Sequence, residues 1–165
     1  MSKIDNYPER ERKLQVQKQI YPNIFNKTFI GLCGPNVIEY LEKIEYTRFK
    51  RVTLYETDKA IYNKIVKTLG NKYPTVRVFN DNINKHLGRT KAFYDLDYCK
   101  SFEDIRHFMP KIAKIEAFVL TVSFRPCGFP FRAFMSYLGH NAFRHYTYRD
   151  GCPMITISVS RRLWG

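Results

Sequence analysis

Several clusters in this 165-residue chain have residue types and spacings that could do chemistry. Asp95-Leu96-Asp97-Tyr98 sets two carboxylates one residue apart. On a strand they share a side, where they could share a proton or bind a metal, although Mg²⁺ would want more ligands. The alternative is an acidic loop capping the next helix. Glu56 ends the apolar run Val52-Thr53-Leu54-Tyr55, and a carboxylate there can accept two hydrogen bonds at once. It also fits as a second acidic cap beside Asp58. Asn80-Asp81-Asn82 offers acid and amide groups, in residue types that are common in turns. In Leu32-Cys33-Gly34-Pro35-Asn36, Gly34 would let backbone approach a ligand closely, and Asn tolerates left-handed backbone at Asn36. A plain strand-to-helix turn has the same composition.

The C-terminal part carries another signal. Residues 117–165 hold six arginines, ten aromatics, no lysine and one acid, Asp150. Arginine presents a planar fork to phosphate and stacks on bases. Arg144, Tyr146 and Tyr148 would share one side of a strand, with His145, Thr147 and Arg149 on the other. With Arg125 and Arg161 they form a candidate surface for single-stranded or flipped-out nucleotides. The formal charge of +13 agrees with a polyanionic partner. It is spread as +3 over residues 1–27, +4 over 28–99 and +6 over 100–165.

Other chemistries find little support. Cys33, Cys99, Cys127 and Cys152 form no CxxC pair, which argues against structural zinc. No metal site is expected. A chain of this size does not need disulfides, so reduced thiols are expected. Cys127 follows a strand in Arg-Pro-Cys-Gly-Phe-Pro without an identifiable activating partner, and His140 and His145 have no nucleophile at a recognisable motif. No uncharged run is long enough to span a bilayer, and residues 1–11 lack the apolar core of a signal peptide. The expectation is a soluble, cytoplasmic protein that uses no membrane.

These residues need elements to position them. Residues 8–20 read as a short basic helix, with Pro8 in its first turn and a weak Leu14, Val16, Ile20 stripe. Residues 1–27 are therefore expected to form a helical arm that could bind a protein partner, and residues 28–165 a single domain. From residue 28, apolar runs alternate with amphipathic stretches. Strands are expected at 28–33, 51–56, 75–80, 91–97 and 116–124. Val37, Tyr40, Leu41 and Ile44 mark one helix. Asp58 caps a second, which Gly70 stops. Ser101 with Asp104 caps a third, which Pro110 would kink or end, and residues 131–143 form another. Residues 144–149 and 154–162 flank Asp150-Gly151, a strong hairpin signal. The fold class expected is α/β: a doubly wound, mostly parallel sheet with helices on both faces, ending in an antiparallel hairpin.

Strand–helix units followed by a terminal hairpin resemble the class I, S-adenosylmethionine-dependent methyltransferases, whose Rossmann-like sheet ends in this way. The resemblance covers roughly residues 28–163. It implies S-adenosylmethionine as cofactor. Gly31, Cys33, Gly34 and Asn36 would lie at its methionine part, Glu56 at the ribose hydroxyls and Asp81 at the adenine amino group. Gly31 stands where the family usually has an acid, and Asn36 replaces the last glycine of the pattern. Asp95, Asp97 and Tyr98 would be catalytic: amino-methyltransferases place an acid or amide, then prolines, then an aromatic here, to hold a target nitrogen and stack on its base. The prolines are absent. The Asp-Leu-Asp-Tyr-Cys segment is also similar to one in small viral and phage proteins with a degenerate domain of this kind, which would place the chain in a host cytoplasm. The expected function is methyl transfer to nucleic acid. The alternative is a catalytically inactive subunit that binds nucleic acid or a protein partner.

Overall fold

The computed structural model describes residues 27–123, 129–139, 142–149 and 152–160. The expected arm over residues 1–27 lies outside them except for Lys27. Strands β1 (Thr28–Gly31), β2 (Arg51–Tyr55), β3 (Val76–Phe79), β4 (Phe93–Ser101), β5 (Ala117–Ser123), β6 (Ala142–Arg149) and β7 (Cys152–Ser160) form one sheet in the order β3-β2-β1-β4-β5-β7-β6. The first five are mutually parallel, while β7 runs antiparallel to both β5 and β6. This is the Rossmann-like, doubly wound sheet with a terminal hairpin that the sequence implies. The order reverses between β1 and β4, which opens a crevice beyond their carboxyl ends.

Helices cover both faces. On one side, α1 (Val37–Lys43) and α2 (Lys59–Leu69) bury Leu41, Ile65 and Leu69 against Phe29, Val52, Leu54 and Phe93. The Asp58 carboxylate caps α2 by accepting from Ile61 N–H at 2.9 Å. On the other side, α3 (Phe102–Ile105), α4 (Met109–Ile112) and α5 (Phe129–Leu138) bury Phe102, Ile112 and Phe134 against Leu96, Phe118, Leu120 and Ile157. The β5 strand, flanked by β4 and β7, is apolar almost throughout because both of its faces are covered. Edge strand β3 alternates between half-buried and exposed residues.

Three expectations change. The β4 strand runs on to Ser101 instead of stopping near Asp97, because its ladder with β5 continues past a register shift to Ser101↔Ser123. Pro110 does not kink a long helix. Ser101 and Asp104 form the expected capping box, a 3-10 turn (Arg106–Phe108) follows α3, and Pro110 then sits in the first turn of α4, where its missing N–H costs nothing. The last two elements also shift: α5 ends at Leu138, and the hairpin strands pair as Ala142↔Val159 to Arg149↔Cys152.

Candidate functional site

At the carboxyl ends of β1, β2, β3 and β4 the chain encloses a cleft of about 390 Å³, within the 300–1,000 Å³ common for small-molecule sites. Leu32 lines it just past β1, Tyr55 and Glu56 at the end of β2, and Asn82, Ile83 and Asn84 after β3. Tyr98 of β4, Lys100, Asp104, His107 and Phe108 also line it.

Local hydrogen bonds fix these groups. Glu56 N–H donates to Phe79 C=O at 3.0 Å, which ties the end of β2 to β3. Asn80 Nδ2 holds the same loop by donating to the carbonyls of Glu56 (2.8 Å) and Thr57 (3.2 Å). Glu56 Oε1 accepts from Asp58 N–H at 2.8 Å. The residue therefore helps form the α2 cap and lines the cleft with the same carboxylate. Asn82 Oδ1 accepts from Asn84 N–H at 2.9 Å, and the Tyr98 hydroxyl donates to Asn84 Oδ1. Burial holds the Tyr98 phenol well above its ordinary range, so it acts as a neutral donor. Cys33 lies close enough to feel the site. Burial, then the negative charge of Glu56, push its thiol up to about 12.

The other expected cofactor residues fall around this cleft in different ways. Gly34 takes φ +60, the left-handed backbone that favours glycine, and a side chain there would meet open space. Asn36 precedes α1 with φ −95 and gives no side-chain cap, so the turn needs no left-handed backbone at that position. Asp81 is not among the residues that line the cleft. Its carboxylate accepts from Asn82 N–H (2.7 Å) and Lys85 Nζ (2.8 Å) and contacts His86 Nε2 (3.0 Å). Lys85, then His86, hold this carboxyl well below the usual range. The polar groups that line the cleft after β3 belong to Asn82 and Asn84 instead. Tyr55 stacks between Phe79 (5.7 Å) and His86 (4.8 Å), which stiffens this corner.

The three residues expected to be catalytic do not gather at one point. Asp95 is wholly buried in β4, opposite Gly31 of β1 and Val119 of β5. The Tyr40 hydroxyl of α1 donates to Asp95 Oδ2 at 2.9 Å. A Cβ on Gly31 would collide with that hydroxyl and come within 2.9 Å of Phe29 Cε1. The missing side chain of Gly31 is thus the space the tyrosine fills. Asp97 shares the face of Asp95 by alternation and stands opposite Thr121, whose hydroxyl bonds Thr156 Oγ1 at 3.0 Å. Tyr98 lies on the other face, packed with Leu96 and Phe102.

Of the expected nucleic-acid residues, Arg144 is exposed on β6 opposite Ile157. Tyr146, Tyr148 and Arg149 stand opposite Ile155, Pro153 and Cys152. Arg125 and Arg161 lie outside the described residues. Among the described residues, no group of three His, Cys, Asp or Glu side chains is placed to hold a metal. No helix among them is long and apolar enough to cross a membrane.

Sequence reasoning passed over Leu32, Ile83, Asn84 and Phe108 as lining residues, and Tyr40 as the partner of Asp95. Ile83 carried a readable signal, being a lone apolar residue in Asn-Asp-Asn-Ile-Asn-Lys and only 2% exposed. The others become legible only when distant strand ends meet. Together the cleft offers the carboxylates of Glu56 and Asp104, two amides, a neutral phenol, the Lys100 amine, the His107 ring and apolar walls. That set suits a flat apolar ring joined to a hydroxylated, polar part.

No family model matches the chain, and no curated protein matches it in sequence. Solved structures do match. A precorrin-6y C5,15-methyltransferase from Geobacter metallireducens superposes with a TM-score of 0.64 at 9% identity, over 97% of this chain and 92% of that one. A Pyrococcus horikoshii protein provisionally described as an RNA methyltransferase gives 0.62 at 15% identity, over 96% and 86%. TrmK of M. capricolum, solved with S-adenosylhomocysteine, gives 0.62 at 12% identity, over 91% and 68%. At these identities the likeness shows the fold, which is the Rossmann-like fold of the S-adenosylmethionine-dependent methyltransferases.

Proposed function

We propose that the chain is an S-adenosylmethionine-binding protein of methyltransferase type that acts on nucleic acid. One observation carries the reading: the cleft lies beyond the carboxyl ends of β1 to β4, next to the switch point of this sheet, and has an acid at the end of β2. The residues fit the cofactor. Glu56 keeps one carboxylate oxygen without a hydrogen bond among the described residues, which suits a ribose hydroxyl. Leu32, Ile83 and Phe108 provide apolar walls for a purine ring. The Asn84 amide, whose oxygen is taken by Tyr98, retains its NH₂ to meet a ring nitrogen. Bound S-adenosylmethionine would supply an activated methyl group. The chain's own contribution would be to hold it and to orient an acceptor from the open side. A nucleic-acid acceptor is supported by the +13 charge and by the RNA methyltransferase description of a similar structure.

A second reading has an observation of its own. Asp95 is engaged by Tyr40 inside the sheet and faces away from Tyr98, so this acid and aromatic do not form a pair around an acceptor. A nucleic-acid-binding protein that retains the cofactor fold without transferring methyl groups fits that arrangement. Calorimetric titration of the full chain with S-adenosylmethionine tests the cofactor. Binding is expected, and Glu56→Ala should weaken it by about 1–3 kcal/mol, the cost of unmade buried hydrogen bonds. Folded protein that gives no heat with millimolar cofactor would overturn the assignment. Cofactor binding without transfer of labelled methyl to RNA or DNA would favour the second reading.

A further inference from the structure

A parallel sheet brings the amino ends of its strands to one edge, opposite the cleft. Here that edge is lined with lysine. Lys50 N–H donates to Lys27 C=O at 3.1 Å, so the residues before β2 and β1 are neighbours. Phe29 pairs with Phe93, and two residues before each stand Lys27 and Lys91. Phe93 pairs with Ala117, and Lys114 precedes that strand. Lys27, Lys91 and Lys114 line one groove of about 260 Å³ with Thr90, Ala92 and Glu116. Glu116 is the one acid in it. All four lysines are exposed, and none is ion-paired among the described residues. With neighbouring strands about 4.8 Å apart, the row Lys50–Lys27–Lys91–Lys114 spans roughly 14 Å.

We propose that this edge is a binding surface for the phosphate backbone of a polynucleotide, separate from the cleft. A linear row of unpaired cations at a regular spacing matches a linear chain of single negative charges. Lysine, a flexible point charge, suits sequence-independent contact of this kind. From Lys91 to Tyr98, which lines the cleft, is seven residues of nearly extended chain, or about 23 Å. The surface would therefore hold a part of the strand remote from any acceptor at the cleft. The inference does not depend on cofactor binding.

The test uses fluorescence anisotropy of the full chain with a single-stranded uridine oligomer long enough to reach both edges, over a range of NaCl concentrations. Each single-stranded phosphate contact contributes about 0.7 to the slope of log affinity against log salt. Replacing Lys27, Lys91 and Lys114 together by Gln should lower the slope by about 2. The same three positions changed to Arg should keep the slope, which separates charge from packing. An unchanged slope in the Gln variant would overturn the proposal, as would a wild-type chain that does not bind the oligomer at low salt. Loss of binding to poly-glutamate with oligomer affinity intact would also overturn it and point to an acidic protein. Titration with S-adenosylmethionine stays a separate readout, so failure here leaves the cofactor assignment standing.

Discussion

Replacing Gly31 with alanine should destabilise the domain, although the general expectation has the opposite sign. Gly→Ala on unstrained backbone gains about 0.4–1 kcal/mol by restricting the unfolded chain. At Gly31 the new methyl group would meet the Tyr40 hydroxyl and approach Phe29 Cε1 at 2.9 Å. Overpacking of this kind costs about 1–3 kcal/mol. If Tyr40 moves to relieve it, its 2.9 Å hydrogen bond to the buried Asp95 carboxyl is lost, for about 1–3 kcal/mol more. The entropic gain is the smallest of the three, so Gly31→Ala should cost roughly 1–4 kcal/mol net. For a chain of this length each kcal/mol lowers Tm by about 2–4 °C. The decisive assay is a double-mutant cycle by urea unfolding. Tyr40→Phe alone loses the hydrogen bond but opens the space that the alanine needs. Gly31→Ala should therefore cost less in the Tyr40→Phe background, with a coupling of at least about 0.5 kcal/mol. Additive energies, or a neutral Gly31→Ala, would refute the idea that this glycine exists to admit the tyrosine hydroxyl.

Two further predictions concern titration. The Asp81 carboxyl is held below its usual range by Lys85, then His86, so its contribution to stability is present above the ordinary carboxylate pKa of about 4 and is lost as pH falls below it. The stability difference between the wild type and Asp81→Asn, followed by thermal unfolding, should thus shrink from pH 6 to acid; a difference that does not change with pH would exclude the Lys85 and His86 pairing. With Cys99, Cys127 and Cys152 changed to serine, the Cys33 thiol, raised to about 12, should react with disulfide reagents at pH 8 on the order of a thousandfold more slowly than an ordinary cysteine. Glu56→Gln should speed that reaction by removing a nearby negative charge, and an unchanged rate would mean that Cys33 does not sense the cleft acid.

The parallel strands, the hairpin and the caps at Asp58 and Ser101 were legible because each rests on local chemistry: period-two apolar runs, turn residues, and an acid or hydroxyl before a helix. Glu56 was legible for the same reason, as a single acid closing an apolar strand. Positions that depend on meetings between distant segments were not. Gly31 looked like part of a ligand loop, and only the 55-residue separation closed by Tyr40 and Asp95 reveals its other use. The length of β4 is not legible locally, because acids are poor strand residues and Asp97 reads as its end. Pairing with β5 overrides that preference. At Asp81 the neighbours at 85 and 86, four and five positions on, compete with any ligand for its carboxylate.

The unequal lengths of the central strands sort the two carboxylates of β4. The β1 strand ends at Gly31, opposite Asp95, while β4 continues to Ser101. Asp95 is therefore flanked by strands on both sides and covered by α1, and a carboxyl in that setting needs an internal donor, which Tyr40 supplies. Asp97 lies past the end of β1, paired with β5 alone, and is only half-buried. A carboxylate that meets a substrate must be reachable from the crevice that opens where β1 stops. Of the two, only Asp97 stands past the end of β1, and Asp95 serves the packing that holds α1 against the sheet. The two acids, two apart on one strand and on the same face, therefore sit in different settings: one inside the sheet, the other beyond the end of β1.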